Sequence, residues 1–128
     1  MSPWHGDLHK RKQTGGRRKP YRGKRVFEKG FFPTETVIGE SKTKKDRGRG
    51  GTSKVRLVST KYVNASNLST GETKKVEILS VLKNPSNVDY DRRGVITKGT
   101  LVNTSIGMVR VTSRPGQSGV LNGILISK

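Results

Sequence analysis

Residues 94–113, GVITKGTLVNTSIGMVRVTS, contain three short stretches of mixed apolar and polar residues separated by glycine. Gly94–Lys98, Thr100–Ile106 and Met108–Ser113 each have the length and composition of a short strand, and Gly99 and Gly107 mark turns between them. No window in the chain keeps apolar residues at helical spacings of three, four and seven. This stretch therefore predicts consecutive short strands rather than helices.

The strand pattern continues on both sides of this stretch. Apolar residues alternate at Val55 and Leu57 and again at Val76 and Ile78, after which the phase slips by one residue, as at a β-bulge. About seven short strands with frequent turns predict a mainly β fold, either a small antiparallel β-barrel or a sandwich. We favour the barrel because its closure removes exposed edges. The remaining predicted elements are a first strand at Thr34–Ile38, a strand that begins at Tyr62-Val63, a turn at Asn84–Asn87 with one helical turn capped by Asn84, a turn at Arg114–Gly116, and a last strand at Val120–Ser127.

Composition divides the chain near residue 54. Residues 1–54 hold 10 apolar side chains and a net charge of +11, whereas residues 55–128 hold 27 apolar side chains and a net charge of +7. The second part has enough apolar residues for a core. We predict an extended basic N-terminal arm at residues 1–33 and a β-barrel domain at residues 34–128, with a basic Arg/Gly loop at residues 40–54.

Charge and cysteine content limit the classes of function. The 128 residues include 27 Lys or Arg against 9 Asp or Glu, a net charge of +18 that favours RNA or DNA as partner. The absence of cysteine excludes disulfides, thiol nucleophiles and thiolate metal sites. No run of eighteen apolar residues suggests a membrane span, and the N-terminus lacks the apolar segment of a signal peptide.

The sequence His9–Arg25, HKRKQTGGRRKPYRGKR, carries nine Lys or Arg and no acidic residue. Such a segment buries too little apolar surface to offset the entropy of ordering its backbone, so we expect it to take its shape on a nucleic acid. Gly15 and Gly16 permit positive φ and close approach to phosphates, and Tyr21 offers an aromatic face. A second basic segment, RGRGG at residues 47–51, has the same character.

Aromatic residues are concentrated before residue 33. Phe27, Phe31 and Phe32 either pin the end of the arm to the domain, which we favour, or stack on bases. Trp4 has the same two alternatives, a base or the barrel.

No constellation of residues suggests catalysis. There is no GxSxG or HExxH motif, and Asp89 and Asp91 beside Arg92 and Arg93 fit a solvated, salt-linked turn better than an acid–base pair. His5 and His9 lack a third metal ligand nearby. We expect no enzyme activity, no metal and no cofactor.

The arm also resembles the opening of a known family, the eukaryotic- and archaeal-type small-subunit ribosomal protein eight. The likeness is carried by His9-Lys10-Arg11, Thr14-Gly15-Gly16, Lys19-Pro20-Tyr21, Lys24-Arg25, Glu28, Gly30, Thr36, Ile38-Gly39, Arg47, Arg49-Gly50-Gly51, Lys54 and Arg56-Leu57, and less densely by Asn84–Asn87, Ile96 and Lys98-Gly99. The chain lacks the long insertion of the eukaryotic members and so resembles the short, archaeal form.

The resemblance implies a structural constituent of the 30S subunit, located in the cytoplasm, that binds and stabilises folded 16S-type ribosomal RNA through the arm and the loop. Its partners would be small-subunit ribosomal RNA and neighbouring ribosomal proteins, with no membrane and no small-molecule substrate. Two alternatives stay open, a ribosome-assembly factor that binds pre-ribosomal RNA transiently and a chromatin-type DNA binder. The RNA-binding residues implied are His9, Lys10, Arg11, Lys12, Thr14, Gly15, Gly16, Arg17, Arg18, Lys19, Pro20, Tyr21, Arg22, Lys24, Arg25, Arg47, Arg49, Gly50, Gly51, Lys54 and Arg56.

Overall fold

The computed structural model describes residues 3–6, 10–19 and 21–126, and it divides the chain into two units, residues 1–33 and residues 34–128. The first unit contains a 3-10 turn at Val26–Glu28. The strands and helices of the second unit are β1 (Val37–Ile38), β2 (Lys42–Arg47), β3 (Ser53–Thr60), β4 (Tyr62–Ser66), β5 (Thr73–Lys83), α1 (Val88–Arg92), β6 (Leu101–Thr104), β7 (Gly107–Val111), α2 (Pro115–Ser118) and β8 (Asn122–Leu125).

Five of these strands form a closed barrel in the order β4-β5-β6-β7-β8, which confirms the predicted fold class. Neighbours within the barrel are antiparallel except where β8 returns to β4, and there the pairing is parallel, with Ala65 opposite Gly123. The other three strands form a small sheet in the order β1-β3-β2. In that sheet β1 and β3 are also parallel, so the fold is not purely antiparallel as the sequence predicted.

The core lies inside the barrel and is built from small and medium aliphatic side chains. Alternate residues of each strand point inward, as the period of two requires. Leu57 of β3 and Leu121, just before β8, belong to the same buried cluster. Its buried members are Leu57, Val63, Ala65, Val76, Ile78, Ile96, Val102, Val109, Val111 and Leu121.

The predicted phase slip in β5 is confirmed. The pairing of β5 with β6 shifts between Ile78 and Ser80 and again between Val81 and Lys83. Each shift inserts an extra residue on β5, which lets one eleven-residue strand bend around the barrel. Leu79 and Leu82 therefore reach the outer surface, where both are exposed.

The predicted strands at Thr100–Ile106, Met108–Ser113 and Val120–Ser127 are shorter or shifted in the structure, and two others differ more. Gly94–Lys98 is not a strand. Among the described residues, its only bridge joins Ile96 to Thr36, and Val95 and Ile96 are both buried. Consecutive burial of two neighbours does not fit the alternation of a half-exposed strand. The first strand is Val37–Ile38 rather than Thr34–Ile38, since Thr36 is taken by that bridge and donates its hydroxyl to the Leu57 carbonyl at 2.7 Å.

The predicted helical turn after residue 84 is present, but its cap is different. Asn87, not Asn84, accepts the backbone N–H of Asp89 at 3.0 Å and begins α1. Asn84 is buried instead. Its side chain accepts from the Ser86 N–H at 3.0 Å and donates to the Val95 carbonyl at 2.7 Å. The Asn84 amide thus ties the turn to the buried Val95 backbone rather than capping a helix.

Candidate nucleic-acid interface

In the first unit, residues 12–16 of the basic arm form a turn. Lys12 donates its backbone N–H to the Gly16 carbonyl at 2.9 Å, and Gly15 donates to the Lys12 carbonyl at 3.0 Å. Gly15 has a φ of +79°, which a glycine adopts without strain, whereas the φ of Gly16 is not positive. That the arm gains its shape on RNA stays a prediction for its residues outside this turn and outside the Arg22–Glu28 pair described below.

Most of the described cations of the arm are exposed. Every described residue of the predicted RNA-binding set before residue 26 is exposed except Arg22, while His9 and Pro20 lie outside the described residues. Exposed Lys and Arg keep their charge available to phosphates. The exposed members are Lys10, Arg11, Lys12, Thr14, Gly15, Gly16, Arg17, Arg18, Lys19, Tyr21, Lys24 and Arg25.

Arg22 is different because it is bound within its own unit. Its guanidinium makes a two-pronged ion pair with Glu28, with Nη2 to Oε1 at 2.5 Å and Nη1 to Oε2 at 3.2 Å. The Arg22 hydrogen bond and the backbone N–H of Arg25 hold the pKa of Glu28 below its ordinary value of 4.5. The same pair raises the pKa of Arg22. Arg22 therefore organises the unit rather than offering a bare charge.

Because the pKa of Glu28 is lowered in the folded unit, the pair stabilises the unit above the ordinary carboxyl pKa, and this stabilisation is lost as the pH falls through the lowered value. We expect the NMR signal of the Arg22 Nε–H to shift with a midpoint below pH 4.5. Glu28→Gln should abolish this transition, because an amide does not titrate. A midpoint at or above 4.5 in the wild type would contradict the pairing.

In the second unit, the predicted basic loop is for the most part a β-hairpin. Strands β2 and β3 pair antiparallel over most of the segment, and only residues 48–52 form the turn. The prediction of a basic Arg/Gly loop over residues 40–54 was wrong for residues 42–47 and 53–54, which lie in paired strands. The turn itself contains Gly50 and Gly51, both with positive φ, in open space.

The hairpin displays cations that the sequence prediction did not include. Lys42, Lys44 and Lys45 are exposed on β2. The predicted Arg47 on β2, Arg49 in the turn and Lys54 on β3 are exposed as well. Residues two apart share a face of a strand, so Lys45 and Arg47 lie on one face of β2. The spacing of Lys45 and Arg47 by two residues could have predicted a strand with a basic face. It was not used because the run Lys42–Arg47 was assigned to a loop.

Arg56 is the second predicted contact that the structure assigns to an internal role. Its Nε lies 2.6 Å from Oδ2 of Asp46 on the neighbouring strand, and its Nη1 donates to the Gly116 carbonyl of α2 at 3.0 Å. The side chain is only 25% exposed. Arg56 thus joins the hairpin to α2.

Replacing Arg56 by alanine should lower the free energy of unfolding of the second unit by about 1–2 kcal/mol, because two charge-assisted hydrogen bonds are lost. Asp46 then retains its salt bridge to Lys44 at 3.5 Å. Thermal unfolding followed by circular dichroism measures this. Lys45→Ala, an exposed cation on the same hairpin, is the matched control and should change stability by less than about 0.5 kcal/mol. An equal loss of unfolding free energy in the two variants would contradict the internal role of Arg56.

The phenylalanines of the arm are on the surface. Phe27, Phe31 and Phe32 are each more than half exposed, so the favoured anchoring role finds no support in burial. Trp4 is partly buried, pairs with Lys29 in an antiparallel bridge, and has the ammonium of Lys24 over its ring at 5.2 Å. The Trp4 ring is therefore bordered by a cation.

The predicted salt-linked turn at residues 89–93 is partly wrong. Asp89 and Asp91 lie on α1, and Asp91 accepts the backbone N–H of Asn84 at 2.8 Å. Arg93 instead makes a two-pronged pair with Glu35, at 2.7 Å for both bonds, and this bond raises its pKa. The long-range partner of Arg93 lies 58 residues away, which local charge patterns do not predict.

The structure describes residues 3–6, 10–19 and 21–126. No three His, Asp or Glu side chains there come together as metal ligands do, and His9 of the His5–His9 pair lies outside those ranges. In the same ranges, no helix has the length and apolar character needed to cross a membrane.

Comparison with known proteins gives matches over nearly the whole chain. The model of a family described as "Ribosomal protein S8e" matches residues 5–126. Three relatives, each named "Small ribosomal subunit protein eS8", come from the archaea Methanoregula boonei, Methanospirillum hungatei and Sulfolobus acidocaldarius. They are 47%, 50% and 46% identical to the chain, over 97%, 91% and 98% of its length and 98%, 93% and 98% of theirs.

Proposed function

Because the chain belongs to the ribosomal protein S8e family, we propose that it is a structural constituent of the small ribosomal subunit that binds and stabilises folded 16S-type ribosomal RNA. The observation that carries this proposal is the near-complete, almost half-identical match to relatives named for the small subunit. The resemblance drawn from the sequence is confirmed at the level of the family. A chain of this family is not an enzyme.

The chemistry of binding follows from the two exposed cationic segments. Lysines and arginines of the arm and of the β2–β3 hairpin neutralise crowded phosphates and release their counterions. Glycines at both turns leave the backbone open to the RNA. Phosphate contacts of this kind set position, whereas the shape of the folded RNA sets specificity. The contact set is the predicted one, with Arg22 and Arg56 holding their neighbours in place and Lys42, Lys44 and Lys45 added.

The proposed partners are small-subunit ribosomal RNA and neighbouring ribosomal proteins, and the proposed location is the cytoplasm, within the small subunit. Catalysis and cofactors have no part in this function. The protein acts by neutralising and holding RNA, so its effect is on the stability of the assembled particle.

Sedimentation of cell extract tests the proposal. A structural constituent should be found at about one copy per small subunit and should stay with mature subunits through a high-salt wash. An assembly factor would be confined to immature particles or removed by salt, and that outcome would overturn the proposal. Nuclease protection of small-subunit RNA, with and without residues 1–25, then locates the contact made by the arm.

A further inference from the structure

One guanidinium in the first unit packs on two exposed aromatic rings. The carbon at the centre of the Arg22 guanidinium lies 5.4 Å from the centroid of the Tyr21 ring and 5.9 Å from that of Phe27. The Tyr21 side chain is 90% exposed and that of Phe27 is 58% exposed. Rings this exposed add nothing to a core, and each has surface that a further flat group can cover.

This arrangement is held in place before any ligand arrives. Arg22 is fixed by the two-pronged pair with Glu28 and donates from Nε to the Tyr21 hydroxyl at 3.2 Å. Glu28 is itself held by the backbone N–H of Arg25 at 3.0 Å. A surface already held in its binding geometry loses less conformational entropy when it binds.

The charge and the space around these rings indicate which ligand they bind. Residues 1–33 contain ten Lys or Arg and two Asp or Glu, so the rings stand in a strongly cationic field. Tyr21 and Lys24 also border a cleft of about 1390 Å³. An unpaired stretch of RNA presents flat bases and phosphates together, and it matches rings and cations at the same time. Bases inside a duplex are stacked on each other and do not offer their faces.

We propose that Tyr21, Arg22 and Phe27 form a stacking platform for unpaired bases of RNA. The proposal rests on the proposed function and extends it, because it assigns this part of the arm to single-stranded rather than helical RNA. Tyr21 and Phe27 contact the bases. Arg22 holds both rings, and Glu28 acts through Arg22 as a positioning residue.

The test measures affinity of the full chain for a short single-stranded RNA, for the duplex of the same sequence, and for small-subunit ribosomal RNA. Tyr21→Leu and Phe27→Leu remove one ring each and should weaken single-strand binding by about 5- to 150-fold, the value of one stacked base. Duplex binding should change by less than about twofold. Tyr21→Phe and Phe27→Tyr keep the ring and should stay within about threefold of the wild type.

Val26→Ala is the matched control, since Val26 is 87% exposed, adjoins Phe27 and has no ring. Loss of single-strand affinity in Val26→Ala equal to that in Phe27→Leu would overturn the proposal. Unchanged RNA affinity in both leucine variants would also overturn the proposal. If those variants kept their RNA affinity but failed to enter the small subunit, the rings would contact a protein instead. Failure of the wild type to bind small-subunit RNA would instead count against the proposed function.

Discussion

Replacing Lys12, Arg17, Lys19 and Arg25 by glutamine in the full chain will weaken binding to small-subunit ribosomal RNA by roughly 10³-fold at about 0.1 M salt. All four side chains are exposed on the arm. Each phosphate contact contributes a slope of about 0.9 to the dependence of log affinity on log salt for a duplex. The slope should therefore fall by about 3 to 4, as measured by filter binding over a series of salt concentrations.

The matched control removes the same charge from the barrel. Lys61, Lys83, Lys98 and Arg110 are exposed outside the arm and the hairpin, and their replacement by glutamine lowers the net charge equally. If only total charge matters, both variants will lose the same affinity and the arm has no special role. We expect the barrel variant to lose less than about tenfold, with a slope change below about one.

Replacing Gly123 by valine will lower the free energy of unfolding of the second unit by about 3 kcal/mol or more, and its melting temperature by roughly 10–20 °C. A Cβ at Gly123 would meet Cγ1 of Val109 at a distance shorter than any normal contact, and the Arg110 carbonyl oxygen at 2.8 Å. Val109 is fully buried and has no space to withdraw. Thermal and urea unfolding followed by circular dichroism measure the loss.

Gly39→Ala tests whether any glycine would give this result. A Cβ at Gly39 would lie 3.6 Å from the Cβ of Ser59, an ordinary contact, and its φ is not positive. The expected change is below about 1 kcal/mol. A stable Gly123→Val variant would mean that β7 and β8 separate easily, which the buried contact does not allow.

Strands with one buried face and one exposed face could be predicted from the sequence. Val109 and Val111 in β7 and Val76 and Ile78 in β5 are buried while their neighbours are exposed, and the alternation was visible. It failed at Val95 and Ile96, where both neighbours are buried in an irregular segment. Composition also indicated a basic surface, and in the structure all described predicted contacts except Arg22 and Arg56 are exposed.

Those two exceptions depend on partners that local sequence does not reveal. Asp46 meets Arg56 only because β2 and β3 pair in one register, which sets Lys44 directly opposite Arg56 and brings Asp46 to the same face. Glu28 meets Arg22 only because the chain turns back at residues 26–28. A count of cations treats every lysine and arginine alike, whereas three-dimensional pairing removes some of them from the set that is available to phosphates.

The parallel return of β8 to β4 affects how the protein is made. Asn64 and Asn122 are joined across this seam although 58 residues separate them. Bringing the ends of such a length together has an entropic cost of about 3.6 kcal/mol from the chain-length factor alone. The β2–β3 hairpin, by contrast, closes locally and early. Because the arm and the hairpin precede β8 in the chain, we expect them to be available to RNA before the barrel closes.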